Sequence, residues 1–217
     1  ILATGLQIDP IIVAQKAIPG LYDEITTTEI DNYLAETSAA LTVEHPDYSN
    51  LAARIKANSL HKHTPGFIIT SKLLYEDGLL NDKYYQKIVD NAETIESIID
   101  YDLDYNFDYF ALTTLTRAYL LKYEGNVIER PQDLWMRVAL TIIGDEFEYE
   151  KVKFTYSALS GGYYTHATPT LFNSGLKMQQ LSSCFLIAME DDSIEGIFNT
   201  VKDCALISKT AGGIGLH

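Results

Sequence analysis

Leu181-Ser182-Ser183-Cys184-Phe185-Leu186-Ile187-Ala188 is a short apolar run, and Asp192 to Lys209 follows it with Ile194, Ile197, Val201, Ala205 and Ile207 at helical spacing. The run predicts a buried strand and the longer stretch a helix. Ala211-Gly212-Gly213-Ile214-Gly215 then reads as a Gly-rich turn. A strand leading into a helix and a turn is the opening of an α/β unit.

Upstream of Tyr164 the pattern is helical. Asp9-Pro10 offers an N-cap with proline in the first turn and Gly20 a stop, which predicts a helix over 10–19. Thr26 and Glu29 have capping-box spacing ahead of a stripe of Ile30, Leu34 and Leu41. Pro46-Asp47 opens a third helix, in which Leu51, Ala52, Ile55 and Leu60 recur to about His63. These three helices form a small N-terminal unit. Thr64-Pro65-Gly66 breaks the pattern, and a helix from Asn81 puts Tyr84, Ile88, Ile95 and Ile99 on one side. Asp100, Asp102, Asp104 and Asp108, interleaved with aromatics from Tyr101 to Phe110, fit a cation or sugar site; they fit a half-buried segment with a solvated edge more simply. Residues 109–118 read as a helix. Residues 119–122 and 127–129 read as a hairpin around Glu124-Gly125-Asn126, and further helices run from Pro131 through Ile142 and from about Glu146 to Gly161-Gly162.

With 16 basic and 30 acidic residues, the 217-residue chain has a net charge of −14 and is 47% hydrophobic. A chain this apolar buries a core, which excludes disorder. Its acidity argues against nucleic acid as a partner, because phosphate tracking needs a clustered basic surface. A free nucleotide stays compatible, since a helix N-terminus holds phosphate in an acidic protein. No apolar run approaches the roughly 20 residues that span a bilayer, and no basic segment opens the chain, so no membrane partner and a soluble, unexported, cytoplasmic protein are expected. Lacking an initiator Met and ending just after the Gly-rich segment, the chain reads as a piece missing both ends. Cys184 and Cys204 have neither Cys-x-x-Cys nor zinc spacing, so no disulfide scaffold and no metal site is expected.

Three features of the last fifty or so residues could together cradle a phosphorylated ligand. Thr165-His166-Ala167-Thr168-Pro169-Thr170 is a hydroxyl-rich loop, Ser182-Ser183-Cys184 sets hydroxyls beside a thiol, and Gly212-Gly213-Ile214-Gly215 bares backbone N–H groups. Each also has a structural reading. Gly-Gly-Ile-Gly is no Walker or Rossmann fingerprint. Cys184 is a packed thiol unless a second thiol lies nearby, since two-electron reduction by cysteines ends in a disulfide. Cys204, at helical spacing with Val201, fits a buried helix face, and His166 a satisfied loop histidine. Asp192 and Glu195 have capping-box spacing, and Lys209 suits a helix C-terminus; the same carboxylate and hydroxyl could read ribose or a base edge, and the same lysine a phosphate.

Taken together, these segments resemble the large subunit of class I ribonucleotide reductase, most of all the eukaryotic type. The resemblance is carried by Thr26-Thr27-Thr28-Glu29, His45-Pro46-Asp47-Tyr48, Leu51-Ala52-Ala53-Arg54-Ile55, Tyr119-Leu120-Leu121-Lys122 and Glu129-Arg130-Pro131-Gln132. It continues through Thr165 to Asn173, Leu181 to Leu186, Asp191 to Gly196 and Cys204 to Gly215. It implies a mainly α fold: partial ATP-cone helices over 1–63, a helical domain over 64–164, and over 165–217 the first strand and helix of a ten-stranded α/β barrel. It implies that Cys184 is a redox-active thiol, that Thr168, Ser183 and Gly213 contact a ribonucleoside diphosphate, and that Asp192, Ser193, Ile194 and Lys209 belong to an effector site near a homodimer interface. Thr27 and Asp31 match ATP contacts. The implied activity is reduction of ribonucleoside diphosphates for DNA synthesis under ATP and deoxynucleoside triphosphate control. No cofactor is bound covalently; a metal-bearing small subunit supplies the radical, and thioredoxin or glutaredoxin restores the dithiol.

The sequence departs from the family pattern in two places. The basic hairpin that begins the ATP-cone is absent, and the second redox cysteine, the radical-forming cysteine and the C-terminal cysteine pair would lie beyond His217, so this piece alone is expected to be inactive. The alternative is a non-catalytic nucleotide-binding or dimerisation module from a truncated gene, packing through the 192–209 helix.

Overall fold

Capping chemistry decides where several of the helices begin. The computed structural model describes residues 2–217; Ile1, the first residue of the expected 1–63 segment, lies outside the described residues. In chain order the elements are α1 (Pro10–Ala17), α2 (Thr27–Ala40), α3 (Asp47–His63), α4 (Phe67–Glu76), α5 (Asp82–Asp90), α6 (Ala92–Ile98) and α7 (Tyr109–Thr114). A two-stranded hairpin follows, β1 (Lys122–Tyr123) and β2 (Asn126–Val127), then α8 (Pro131–Ile142), α9 (Tyr149–Ser160) and α10 (Thr168–Asn173). The last three are β3 (Cys184–Ile187), α11 (Ile194–Lys209) and β4 (Gly213–Leu216). The fold is mainly α, as expected. Asp9 accepts from the Ile11 N–H ahead of Pro10, and Thr26 and Glu29 form the complete capping box.

The chain divides into two compact units, one reaching to Thr70 and adding Glu93–Leu134, the other made of Ser71–Ala92 and Trp135–His217, so the divisions fall inside α4, α6 and α8. In the first, Val13, Ala35, Leu41, Tyr48, Leu51 and Ile55 are buried together, with Leu2, Leu6, Ile12, Leu34 and Tyr109 packed around them. A polar network shares this unit. His61 Nε2 lies 2.7 Å from the fully buried Asp104, and the Tyr101 hydroxyl donates to Asp133 at 2.7 Å. Arg130 donates to the Thr64 hydroxyl at 2.7 Å and lies over the Tyr101 ring. Burial pushes the Asp133 carboxyl up to about 7. The acids of the aromatic run are therefore structural: Asp104 pairs with His61, while Asp100 and Asp108 cap by accepting from the Asp102 and Ala111 N–H groups.

In the second unit, charged side chains hold helix ends. Lys87 on α5 is buried and donates to the Leu140 carbonyl at 2.7 Å and to that of Gly144, closing the C-terminus of α8; burial lowers its pKa. Arg137 on α8 is 2% exposed. Its two terminal nitrogens donate to the carbonyls of Ser174 (2.8 Å) and Leu171 (3.0 Å) at the end of α10. Cations at these ends complement unpaired carbonyls and the negative end of the helix dipole.

Several local expectations are corrected. The first helix stops at Ala17 and tightens into a 3-10 turn, Ile18–Gly20. Phe67–Glu76 forms a helix where none was read. The helix from Asn81 breaks at Asn91 (φ −127°, ψ 20°), so Tyr84 and Ile88 are buried in the second unit and Ile95 in the first, rather than on one face. Residues 109–118 divide into α7 and a π-helical turn, Leu115–Tyr119. The hairpin turns on Glu124-Gly125 alone, both at positive φ (48° and 82°), which moves Asn126 into the strand opposite Tyr123. The helix expected from about Glu146 starts at Tyr149.

Replacing Arg137 by Lys keeps the charge but removes the two-pronged donor. The variant is expected to lose about 2–3 kcal/mol of stability in urea unfolding, and an unchanged midpoint would show that the fork does not hold α10.

Candidate functional site

β3, α11 and β4 form a β-α-β unit with the two strands parallel. Cys184 lies opposite Gly213, Phe185 opposite Ile214, Leu186 opposite Gly215 and Ile187 opposite Leu216. The Gly-rich segment read as a turn is therefore a strand, and its first residue is bonded in: the Gly213 N–H donates to the Ser183 carbonyl at 2.7 Å. Side chains on β3 alternate between faces. Phe185 and Ile187 are half-buried, Cys184 is exposed and Leu186 is 95% exposed. A Cβ at Gly212 would lie 2.6 Å from Ile207 Cγ2 on α11 and 2.9 Å from the Phe185 ring, so Phe185 faces the helix and Cys184 the opposite side. This corrects the expectation of a buried strand and a packed thiol, because no described residue covers the Cys184 and Leu186 face.

Ser183, Cys184 and Gly213 thus converge. A Cβ at Gly213 would sit 3.7 Å from the Cys184 sulfur and 3.2 Å from the Ser183 carbonyl, so glycine there leaves the thiol side open. Thr168 begins α10, which corrects the reading of 165–170 as wholly loop; Pro169, Thr170 and Leu171 behind it are buried. The Thr170 hydroxyl donates to the Leu181 carbonyl at 3.0 Å. The Asn173 amide donates to the carbonyls of Gln180 at 2.7 Å and Thr210 at 3.2 Å. One short helix therefore grips the segments that lead into β3 and β4, with the Arg137 fork closing its far end.

Arg137, Thr170 and Asn173 are positioning residues that the sequence reading missed. The usable signal was a single charge inside Trp135-Met136-Arg137-Val138-Ala139-Leu140, since a lone cation in an apolar helical run marks a buried, partnered group. His166 packs edge-on against Tyr164, and burial lowers its pKa.

At the start of α11 the N-cap is Ser193, whose hydroxyl accepts from the Gly196 N–H at 3.0 Å, and not Asp192 as expected. A Cβ on Gly196 would lie 2.7 Å from the Asp191 backbone, so this glycine lets the chain fold back closely enough for the cap to fall on Ser193. Asp192 and Ile194 are exposed, and Lys209 lies in the last turn, about 22 Å along the helix axis from Ile194 at 1.5 Å per residue. The helix face against the sheet is Gly196, Thr200, half-buried Cys204 and Ile207; Ile194, Ile197, Phe198, Val201 and Leu206 are exposed. Of the expected apolar face, Ile207 meets the sheet, while Ile194, Ile197, Val201 and Ala205 are exposed, because small residues are what a close strand–helix approach admits. Thr27 and Asp31 lie one turn apart on α2 in the first unit, with Thr27 exposed and Asp31 bonded to the Lys62 ammonium at 2.8 Å.

This combination, a helical domain feeding a parallel β-α-β unit that carries an exposed strand-borne thiol, is matched by two family models in chain order. Residues 105–179 match the ribonucleotide reductase all-alpha domain, and residues 182–217 match the ribonucleotide reductase barrel domain. The chain belongs to the ribonucleotide reductase large-subunit family. It is 49% identical to ribonucleoside-diphosphate reductase large chain 2 of Saccharomyces cerevisiae over 97% of its length and 25% of that protein. It is 48% identical to the large subunit of Arabidopsis thaliana (96% and 26%) and 47% identical to that of Caenorhabditis elegans (97% and 28%). The chain spans about a quarter of the length of these curated relatives.

Exposure separates the two thiols. With limiting N-ethylmaleimide, Cys184 is expected to be alkylated before Cys204 in peptide mapping, and preferential labelling of Cys204 would contradict the strand orientation.

Proposed function

We propose that this chain forms part of a ribonucleoside-diphosphate reductase that converts ribonucleoside diphosphates to 2′-deoxyribonucleoside diphosphates, with Cys184 as one of two reducing thiols. The observation that carries this reading is the exposed Cys184 thiol beside Ser183, opposite a glycine that leaves space for substrate. Overall, a dithiol becomes a disulfide, giving two electrons and two protons, while the substrate loses its 2′ oxygen as water. The resemblance assigns the second thiol and the radical-forming cysteine to parts of the subunit other than this chain. It also assigns radical generation to a metal-bearing small subunit, and regeneration of the dithiol to thioredoxin or glutaredoxin.

Thr168, Ser183 and Gly213 are the proposed substrate contacts. Thr168 supplies a hydroxyl at the first turn of α10, and a hydroxyl suits phosphate oxygens. Asp192, Ser193, Ile194 and Lys209 are the proposed effector residues. The ~22 Å between the two ends of α11 exceeds what one nucleotide bridges. Lys209 therefore acts on an effector held by the Asp192 end of a second copy, and the outward apolar face of α11 covers that copy in a homodimer. Thr27 and Asp31 are proposed ATP contacts within a partial ATP-cone at 1–63, followed by a helical domain at 64–164 and the barrel opening at 165–217. A cytoplasmic site of action accompanies this reading.

In the full-length subunit, Cys184→Ser is expected to abolish turnover with a thiol reductant while sparing effector binding; full activity would reject the thiol assignment. Asp192→Ala is expected to change which effector is bound while the melting temperature holds, and an unaltered effector profile would remove Asp192 from the site.

A further inference from the structure

The first unit contains a cleft of about 550 Å³, within the range of small-molecule sites. On one side stands the stripe Lys56, Ser59, Leu60 and His63 of α3, at the spacing that puts residues on one helix face. Across it lie Asn32 of α2 and Val127 of β2. In a chain with 30 carboxylates, none is among the residues lining the cleft.

Lys56 gives the cleft its chemistry. Its side chain is half-buried, and among the described residues no carboxylate reaches it within ion-pair distance. Its ammonium lies 5.8 Å from the Tyr109 ring centre, and the Glu36 charge acts on it without forming an ion pair. Burial lowers its pKa, so the cation has lost part of its water without gaining a counter-ion. His63 is fixed beside it. Its Nδ1–H donates to the Ser59 carbonyl at 2.7 Å, and Nε2 is hydrogen-bonded to the Thr28 hydroxyl at 3.1 Å. Asn32 presents a side-chain amide, while Leu60 and Val127 supply apolar surface.

We propose that this cleft binds a small phosphomonoester carrying a ring, of the size and polarity of a nucleoside monophosphate. Lys56 and the Ser59 hydroxyl hold the phosphoryl oxygens, a charge-assisted arrangement that completes the unpaired ammonium. Asn32 meets the polar edge of the ring, and Leu60 and Val127 pack on its face. The site is separate from the proposed ATP contacts: Thr27 and Asp31 do not line the cleft, and Asp31 is engaged by Lys62. It is also independent of the reductase reading, because it uses none of the residues from Thr168 onward.

The test is calorimetric titration of the full 217-residue chain with three separate probes: AMP, adenosine and inorganic phosphate. AMP is expected to bind once per chain, with adenosine and inorganic phosphate each at least about tenfold weaker. Lys56→Met and Asn32→Asp are expected to weaken AMP by about tenfold or more at unchanged secondary structure; Asn32 is exposed, so its variant keeps the fold even if the Lys56 variant does not. Thr27→Ala and Asp192→Ala are expected to leave AMP affinity unaltered. Absence of AMP binding, equal affinity for adenosine, or unchanged AMP affinity in Asn32→Asp would overturn the proposal. So would loss of AMP binding in Thr27→Ala or Asp192→Ala, which would move the ligand to another site.

Discussion

The thiol-bearing unit depends on one buried cation. Arg137 is almost wholly removed from water, and a guanidinium in that position is tolerated only when its donors are matched. The last carbonyls of α10 supply that match: they are unpaired by helix geometry and carry the negative end of its dipole. A six-residue helix has little stability of its own, since nucleation is costly and few bonds follow it. The fork therefore orders α10, and through Thr170 and Asn173 the ordered helix fixes the approaches to β3 and β4. Thr168 and the Ser183–Cys184–Gly213 cluster hang on this sequence of contacts.

The same economy recurs elsewhere and explains how so acidic a chain folds. Asp9, Asp100, Asp108, Asn81 and Ser193 each accept N–H groups at a helix or turn start, and Lys87 and Arg137 each close a helix end. Asp9, Asp100 and Asp108 thus sit where a helix dipole favours negative charge, which offsets part of the mutual repulsion implied by −14. Asp133 and Asp104 are buried acids. Asp133, in the first turn of α8, accepts from the Arg130 N–H and the Tyr101 hydroxyl, and Asp104 pairs with His61 in the last turn of α3, while desolvation raises both carboxyls.

Elements with local signals were legible. The Asp9-Pro10 start, the Thr26/Glu29 box and the helices opening at Asp47 and Pro131 depend on neighbours a few residues apart, and those neighbours stand in the sequence. What failed depended on distant contacts. The break at Asn91 divides an apolar stripe between two units, so periodicity alone ran through it. The face of α11 was misread because hydrophobicity ranked Ile194 and Val201 above Gly196 and Thr200, whereas a strand at close range selects small residues. Of the site, the thiol and its hydroxyl neighbour were visible as residue types; their exposure and the partners of α10 were not.

β4 shows why a strand can hide from pattern reading. Glycine is depleted in strands because it costs backbone entropy and brings nothing to pack, so Gly212-Gly213-Ile214-Gly215 scores as a turn. Yet two bare positions answer close approaches: a side chain at Gly212 would be blocked by Phe185 and Ile207, and one at Gly213 would press on the Ser183 carbonyl and lie beside the Cys184 sulfur, whereas Gly215 meets only the tip of the exposed Leu186 side chain. Parallel pairing with β3 offsets the entropic cost through its ladder bonds. The missing side chains keep the thiol face clear while the backbone stays fixed. A β-branched residue at 213 would favour the strand by propensity and fill the space beside Cys184, so the local preference and the needs of the site oppose each other there.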